Sequence, residues 1–370
     1  VKDDLRGGAR RHAALPEPFA FWRGGALHRG EVAFETWGEL DAARSNAILL
    51  FTGLSPPAHA ASSDLDPTEG WWEEMIGPGR PIDTRRFFVI CVNSLGSCFG
   101  STGPASIDPA TGRAYQLTFP ELSVEDIARA GYVAARSLGI EILHAVVGPS
   151  LGGMVVLAFA AVLPGRTHHL VTISGSAAAS PFTLALRSLQ REAILRDPEW
   201  KSGQYAPSAP PRTGLRLARK LGTITYRSAA EWAQRFGRTL VDPAWRTADP
   251  FGPTFAVEGY LEAQAERFVA SFDANCYLYL SRAMDRFDLS AHGASMVEIF
   301  GRAGLSSALV IGVESDLLFP IGEQRALADA FLEAGVPTDF VSMPSIEGHD
   351  AFLVDLPRFG AAMGAFLGRT

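Results

Sequence analysis

The chain has 370 residues, of which 47% are hydrophobic and 20% charged, with a formal net charge of −7. This is the composition of an ordinary globular protein; it excludes a disordered chain, and its negative balance offers nothing to nucleic acid or to an anionic membrane. The three cysteines, Cys91, Cys98 and Cys276, are too few and too scattered for a disulfide framework or a metal cluster, so a reducing cytoplasm and no metal are expected.

Residues 1–15 carry many charges and no apolar core, and they read as a mobile tail; no run has the length of a membrane span. Short apolar runs then recur at 47–51, 87–92, 145–148, 170–174, 308–313 and 340–341. They lack alternation, which suits strands covered on both faces, and helical patterns lie between them. The expected class is therefore α/β, with a mostly parallel central sheet and helices on both faces.

Helices are expected over 123–138, with Ser123 as N-cap and Asp126 in the first turn, and over 151–163, 323–333 and 351–367. Between 182 and 300 the rhythm changes to helical segments at 183–196, 214–221, 229–236 and 258–287. This stretch reads as a helical lid inserted into a core made of residues 16–181 and 301–370.

The strongest local signal is Gly148-Pro-Ser150-Leu-Gly152, which follows a strand and opens a helix. That is the context of a nucleophile elbow, where small residues relieve crowding and the serine hydroxyl projects above the sheet. The amide of Leu151, at the helix N-terminus, would face an oxyanion, and Leu54, in the loop after residues 47–51, is the candidate for the second donor.

A serine hydroxyl needs a base, and in this arrangement the acid and the histidine follow it in sequence. His292 and His349 are the histidines well beyond Ser150. His292 falls within the lid, whereas His349 lies in a glycine-containing loop between a strand and the last helix and is the expected base. Asp316, just past the strand at 308–313, is the expected acid, with Glu314 as the alternative. His59 precedes the nucleophile and reads as a loop-structuring residue; His168 and His169 read as surface residues.

Longer motifs carry a resemblance. Phe34-Glu-Thr-Trp-Gly38, Gly70-Trp-Trp72, the segment from Asn93 to Ser106, Gln190-Arg-Glu-Ala-Ile194, the segment from Leu217 to Tyr226, Phe272-Asp-Ala-Asn-Cys-Tyr-Leu-Tyr279 and Gly348-His-Asp-Ala-Phe-Leu353 together resemble the homoserine O-acyltransferase family. Its members have the α/β-hydrolase fold and transfer an acyl group from acyl-CoA to homoserine or serine. Pro149 in the elbow and the loop Gly53-Leu54-Ser55-Pro56 are most similar to the serine O-succinyltransferase branch, for which that loop sets substrate specificity.

The resemblance implies a ping-pong transfer through an acyl-serine, with Arg219 on the amino-acid carboxylate and Asp350 on its ammonium. Arg187 is the candidate partner of a succinyl carboxylate, with Arg191 one helical turn away on the same face. The resemblance also implies acyl-CoA as a cosubstrate with no bound cofactor, a role in cysteine biosynthesis, and a homodimer. Homoserine acylation, toward methionine, and plain ester or thioester hydrolysis stay open as alternatives.

Overall fold

The apolar runs become six adjoining strands of one sheet. The computed structural model describes residues 9–243 and 249–370. Its eight main strands are β1 (Arg11–Ala14), β2 (Glu31–Trp37), β3 (Ala47–Phe51), β4 (Phe88–Val92), β5 (Leu143–Pro149), β6 (Thr167–Ile173), β7 (Ser307–Val313) and β8 (Thr338–Met343). They lie in the order β1-β2-β4-β3-β5-β6-β7-β8. β1 and β2 pair antiparallel, as do β2 and β4, and every later pairing is parallel. β3 and β4 bury all their residues, as expected of strands covered by helices on both sides.

The two antiparallel strands are the ones the apolar runs do not reveal. β1 buries only Ala13, and β2 carries Glu35, a buried carboxylate 2.8 Å from His59. The expected tail is correspondingly shorter. Residues 11–14 are hydrogen-bonded to β2, and residues 1–8 lie outside the described residues.

Helices α1 (Val124–Ser137) and α2 (Leu151–Val162) cover one face of the sheet. Ser123 caps α1 as expected: its Oγ accepts from the Asp126 amide at 3.1 Å while the Asp126 carboxylate accepts from the Ser123 amide. Such a cap contributes about 1 kcal/mol.

The inserted segment holds α3 (Pro181–Leu195), α4 (Arg212–Thr225), α5 (Ala229–Phe236), α6 (Ala256–Ser271) and α7 (Ala274–Arg286). α3 packs on α4 and α7, and α4 packs on α6. The single helix expected over 258–287 is two, because Asp273 accepts from the Cys276 amide at 2.9 Å and starts a new helix.

The lid is also shorter than the expected 182–300. A turn at Leu289–His292 and helix α8 (Met296–Gly301) pack on α2 and on α9 (Ile321–Glu333), within the core layer. His292 anchors that turn through Glu125 of α1 at 2.9 Å, with both side chains buried.

At the C-terminus the helix expected over 351–367 breaks into α10 (Ala351–Val354) and α11 (Leu356–Leu367). Pro357 explains the break, since it has no amide to donate and clashes with the carbonyl one turn earlier. α11 packs with Trp72 and Ile82 against the opposite face of the sheet from α1 and α2.

Candidate active site

Ser150 joins β5 to α2 with φ 57° and ψ −118°, a conformation that costs a non-glycine residue about 1–3 kcal/mol. The bend is held by the Ser150 amide donating to the Ile173 carbonyl at the end of β6, 2.9 Å away. It is possible only because its flanks are glycine: a Cβ at Gly148 would lie 2.2 Å from the Gly152 carbonyl oxygen, and one at Gly152 would lie 2.5 Å from that of Phe51. The hydroxyl is thereby exposed at the carboxyl edge of the sheet, at the head of α2.

The loops after β7 and β8 bring the two other expected residues to it. His349 Nε2 lies 2.8 Å from Ser150 Oγ, and His349 Nδ1 lies 2.8 Å from Asp316 Oδ2. The carboxylate can only accept, so Nδ1 carries the proton and Nε2 is left to accept from the serine hydroxyl. Asp316 Oδ1 accepts the amides of Leu318 and Phe319 at 2.8 and 3.0 Å, which fixes the carboxylate plane.

The Phe319 ring stacks on the imidazole at 4.9 Å between centroids. Burial lowers the affinity of His349 for a proton, but the charge and hydrogen bond of Asp316, helped by Asp350, more than offset it, and the net shift is upward. Glu314, the alternative acid, is exposed and accepts from Ser342 at 2.9 Å.

The loop after β3 runs beside the elbow. A Cβ at Gly53 would sit 3.9 Å from Ser150 Cβ, so Gly53, Leu54, Ser55 and Pro56 form the wall facing the hydroxyl. The Leu151 amide belongs to the first turn of α2, where amides have no partner within the helix. His59, in the same loop, is held by Glu35 at 2.8 Å and by the Thr68 carbonyl at 2.9 Å, in keeping with a structural role.

The cavity over Ser150 is about 110 Å³ and is lined on the lid side by side chains of α3, α4 and α7. Arg219, Asp350 and Arg187 all line it.

Arg219 lies over the Phe268 ring at 4.6 Å and the Tyr226 ring at 5.6 Å, and its Nε is buried without a hydrogen bond. Among the described residues no carboxylate forms an ion pair with it, so its charge is available to an anionic ligand. Arg187 is less free, since Asp285 accepts from its Nε at 2.5 Å and is also paired with Arg191 at 2.5 Å. Of the two arginines it is Arg187 that lines the cavity; Arg191 donates to Ser281 instead.

Asp350 follows the histidine directly. Burial raises its pKa above the usual carboxylate range, against the pull of Arg227, His349 and Arg219. Arg227 was not legible in the sequence as a site residue. It approaches Asp350 Oδ2 to 3.3 Å, and its neighbours tie the histidine loop to the lid: the Tyr226 carbonyl accepts from the Asp350 amide at 3.1 Å, and Ser228 donates to the Ile346 carbonyl. Nothing in the spacing of Tyr226, Arg227 and Ser228 marks such a clamp, because its partners lie some 120 positions away. Among the described residues no three His, Cys, Asp or Glu side chains are grouped to hold a metal ion, and no helix is long and apolar enough to cross a membrane.

Comparison with known proteins agrees with this geometry. Residues 46–356 match the family described as alpha/beta hydrolase fold. The chain is 55% identical over 360 residues to the serine O-succinyltransferase of Litchfieldella anticariensis, covering 97% of this chain and 98% of that one. It is 56% identical over 361 residues to the enzyme of the same name from Stenotrophomonas maltophilia, with 97% of each covered.

Among solved structures, homoserine O-acetyltransferase from Bacillus anthracis superposes with a TM-score of 0.88 at 28% identity over 97% of each chain. Esterase E22 does so with a TM-score of 0.87 at 28% identity, over 97% of this chain and 99% of its own. The chain belongs to the α/β-hydrolase-fold family and, within it, to the acyltransferase family represented by these serine O-succinyltransferases.

Proposed function

We propose that this chain transfers the succinyl group of succinyl-CoA to the hydroxyl of L-serine, giving O-succinyl-L-serine and CoA, with Ser150 as nucleophile, His349 as base and Asp316 as its orienting acid. The observation that carries the reading is the pair of 2.8 Å contacts linking Ser150, His349 and Asp316 at the floor of one cavity. The names of the relatives at 55% and 56% identity supply the substrates.

In the first half-reaction His349 takes the Ser150 proton as Oγ attacks the thioester carbonyl. The Leu54 and Leu151 amides hold the oxyanion, the C–S bond breaks, and the proton passes to the departing thiolate. In the second, His349 takes the proton of the serine hydroxyl, whose oxygen attacks the acyl-enzyme; the bond to Ser150 Oγ breaks and that oxygen regains the proton. Arg219 holds the acceptor's carboxylate, Asp350 its ammonium, and Arg187 the free carboxylate of the succinyl group. The loop from Gly53 to Pro56 limits the length of the acceptor.

Hydrolysis is the second reading, favoured by the likeness to esterase E22. Water competing with serine for the acyl-enzyme is what the lid has to prevent. The test is turnover of serine and homoserine, each with succinyl-CoA and acetyl-CoA, beside a reaction without amino acid. The proposal expects serine with succinyl-CoA to be fastest and double-reciprocal lines to be parallel. Equal acid release without an amino acid, or acyl transfer by Ser150→Ala, would overturn it.

The proposal includes a homodimer joined through the lid, supported by the exposed apolar side chains of Phe182 and Leu189 on α3 and of Leu217 and Ile224 on α4. Light scattering that gives a monomer mass would refute it. A cytoplasmic setting is proposed with it, supported by three cysteines that are all free thiols.

A further inference from the structure

One polar group in the cavity has no part in the chemistry above. Gln190 of α3 is only 4% exposed, yet among the described residues nothing hydrogen-bonds its carboxamide. Buried carboxamides are almost always paired, and one aimed into a cavity beside a nucleophile calls for a ligand as its partner.

Its surroundings say which part of the ligand. Gln190 lies one turn beyond Arg187 on α3 and faces Gly222, which lies one turn beyond Arg219 on α4. A Cβ at Gly222 would be 3.2 Å from Gln190 Nε2 and 3.1 Å from the Tyr226 hydroxyl, so the bare glycine lets these two groups converge beside the Arg219 helix. Among the described residues the Tyr226 hydroxyl also has no hydrogen-bond partner.

A carboxylate has about four acceptor positions, and a guanidinium that grips it side-on fills two. The remaining positions call for neutral donors from the cavity wall. Among the described residues Arg219 has no carboxylate partner, whereas Arg187 already shares Asp285 with Arg191. We infer that the Gln190 carboxamide donates a hydrogen bond to the α-carboxylate of the acceptor amino acid, completing the site begun by Arg219. The inference rests on the acyl transfer proposed above and extends it to a specificity-determining contact.

The experiment compares wild type, Gln190→Ala and Gln190→Met, the last filling the same space without hydrogen-bonding. Both variants should raise KM for L-serine about tenfold or more, as expected for a lost hydrogen bond to a charged group. KM for succinyl-CoA, and CoA release in the absence of acceptor, should move less than about twofold, a split that general damage to the fold would not produce. With ethanolamine, which keeps the hydroxyl and the ammonium but has no carboxylate, the variants should match wild type.

A rise in KM for succinyl-CoA alone would assign the carboxamide to the acyl side and overturn the inference, as would unchanged kinetics with serine. If wild type itself transfers nothing to serine, the functional reading fails with it. A normal wild type beside unaltered variants refutes only the contact.

Discussion

Arg227 Nε lies 3.3 Å from Asp350 Oδ2, and the same guanidinium donates to Glu347 at 2.8 Å. One lid side chain thus holds both ends of the short turn that carries His349. It also opposes the burial that raises the pKa of Asp350. Replacing it by methionine should remove the largest of the charges that oppose burial, so that Asp350 takes up its proton at higher pH. Because only the ionised carboxylate attracts the acceptor's ammonium, KM for serine in Arg227→Met should climb on acidification sooner than in wild type. A pH series of KM for serine checks this, and an unshifted profile would count against the pairing of Asp350 with the ammonium.

His349 must be neutral to accept the serine proton, and its pKa lies above the ordinary histidine value. Activity should therefore fall as pH drops through that raised value, with an acid limb above about 6.5. Asp316→Asn removes the charge that opposes burial, so the limb should move to lower pH. The asparagine also fails to hold the productive tautomer, and kcat should fall on the order of 10⁴-fold. Steady-state rates across pH test both signs together.

Gly152→Ala would set a methyl 2.5 Å from the Phe51 carbonyl oxygen and 3.0 Å from that of Thr52. Neither backbone atom can move without shifting β3 and the loop from Gly53 to Pro56. Overpacking of this kind costs about 1–3 kcal/mol. The displaced loop should also lower kcat further than KM. Thermal melting and steady-state kinetics on one preparation separate the two losses.

Asp285 is 3% exposed in its side chain and lies between Arg187 and Arg191. Arg187→Ala should lower kcat/KM for succinyl-CoA by about ten- to a hundredfold while leaving acetyl-CoA nearly unaffected, the signature of a lost contact to a charged group. Asp285→Ala should instead destabilise the protein by about 3–5 kcal/mol, since it strands two buried cations. Parallel assays with the two thioesters, beside chemical denaturation, distinguish acyl recognition from structural support.

The six strands from apolar runs, the capped helix after Ser123 and the elbow at Ser150 were legible because each rests on residues close together in sequence: an apolar run, a Ser-x-x-Asp box, a glycine on either side of a serine. The order of nucleophile, acid and base along the chain then made Asp316 and His349 the expected partners. Local pattern failed where a charge was buried or a helix interrupted: Glu35 hid β2, the Asp273 cap divided one helix into two, and Pro357 divided another. It failed as well at the lid's edge, where His292 belongs to the core through Glu125.

Sequence by itself determined the class, six adjoining strands of the sheet and which side chains to expect at the site, since these depend on neighbouring residues and on their order. Tertiary structure alone decided that Arg227 pairs with Asp350, that Arg187 rather than Arg191 faces the cavity, and that Gln190 has no partner among the described residues. Each of those is a relation between groups on separate elements, and only packing α3, α4 and α7 over the sheet brings them to one cavity.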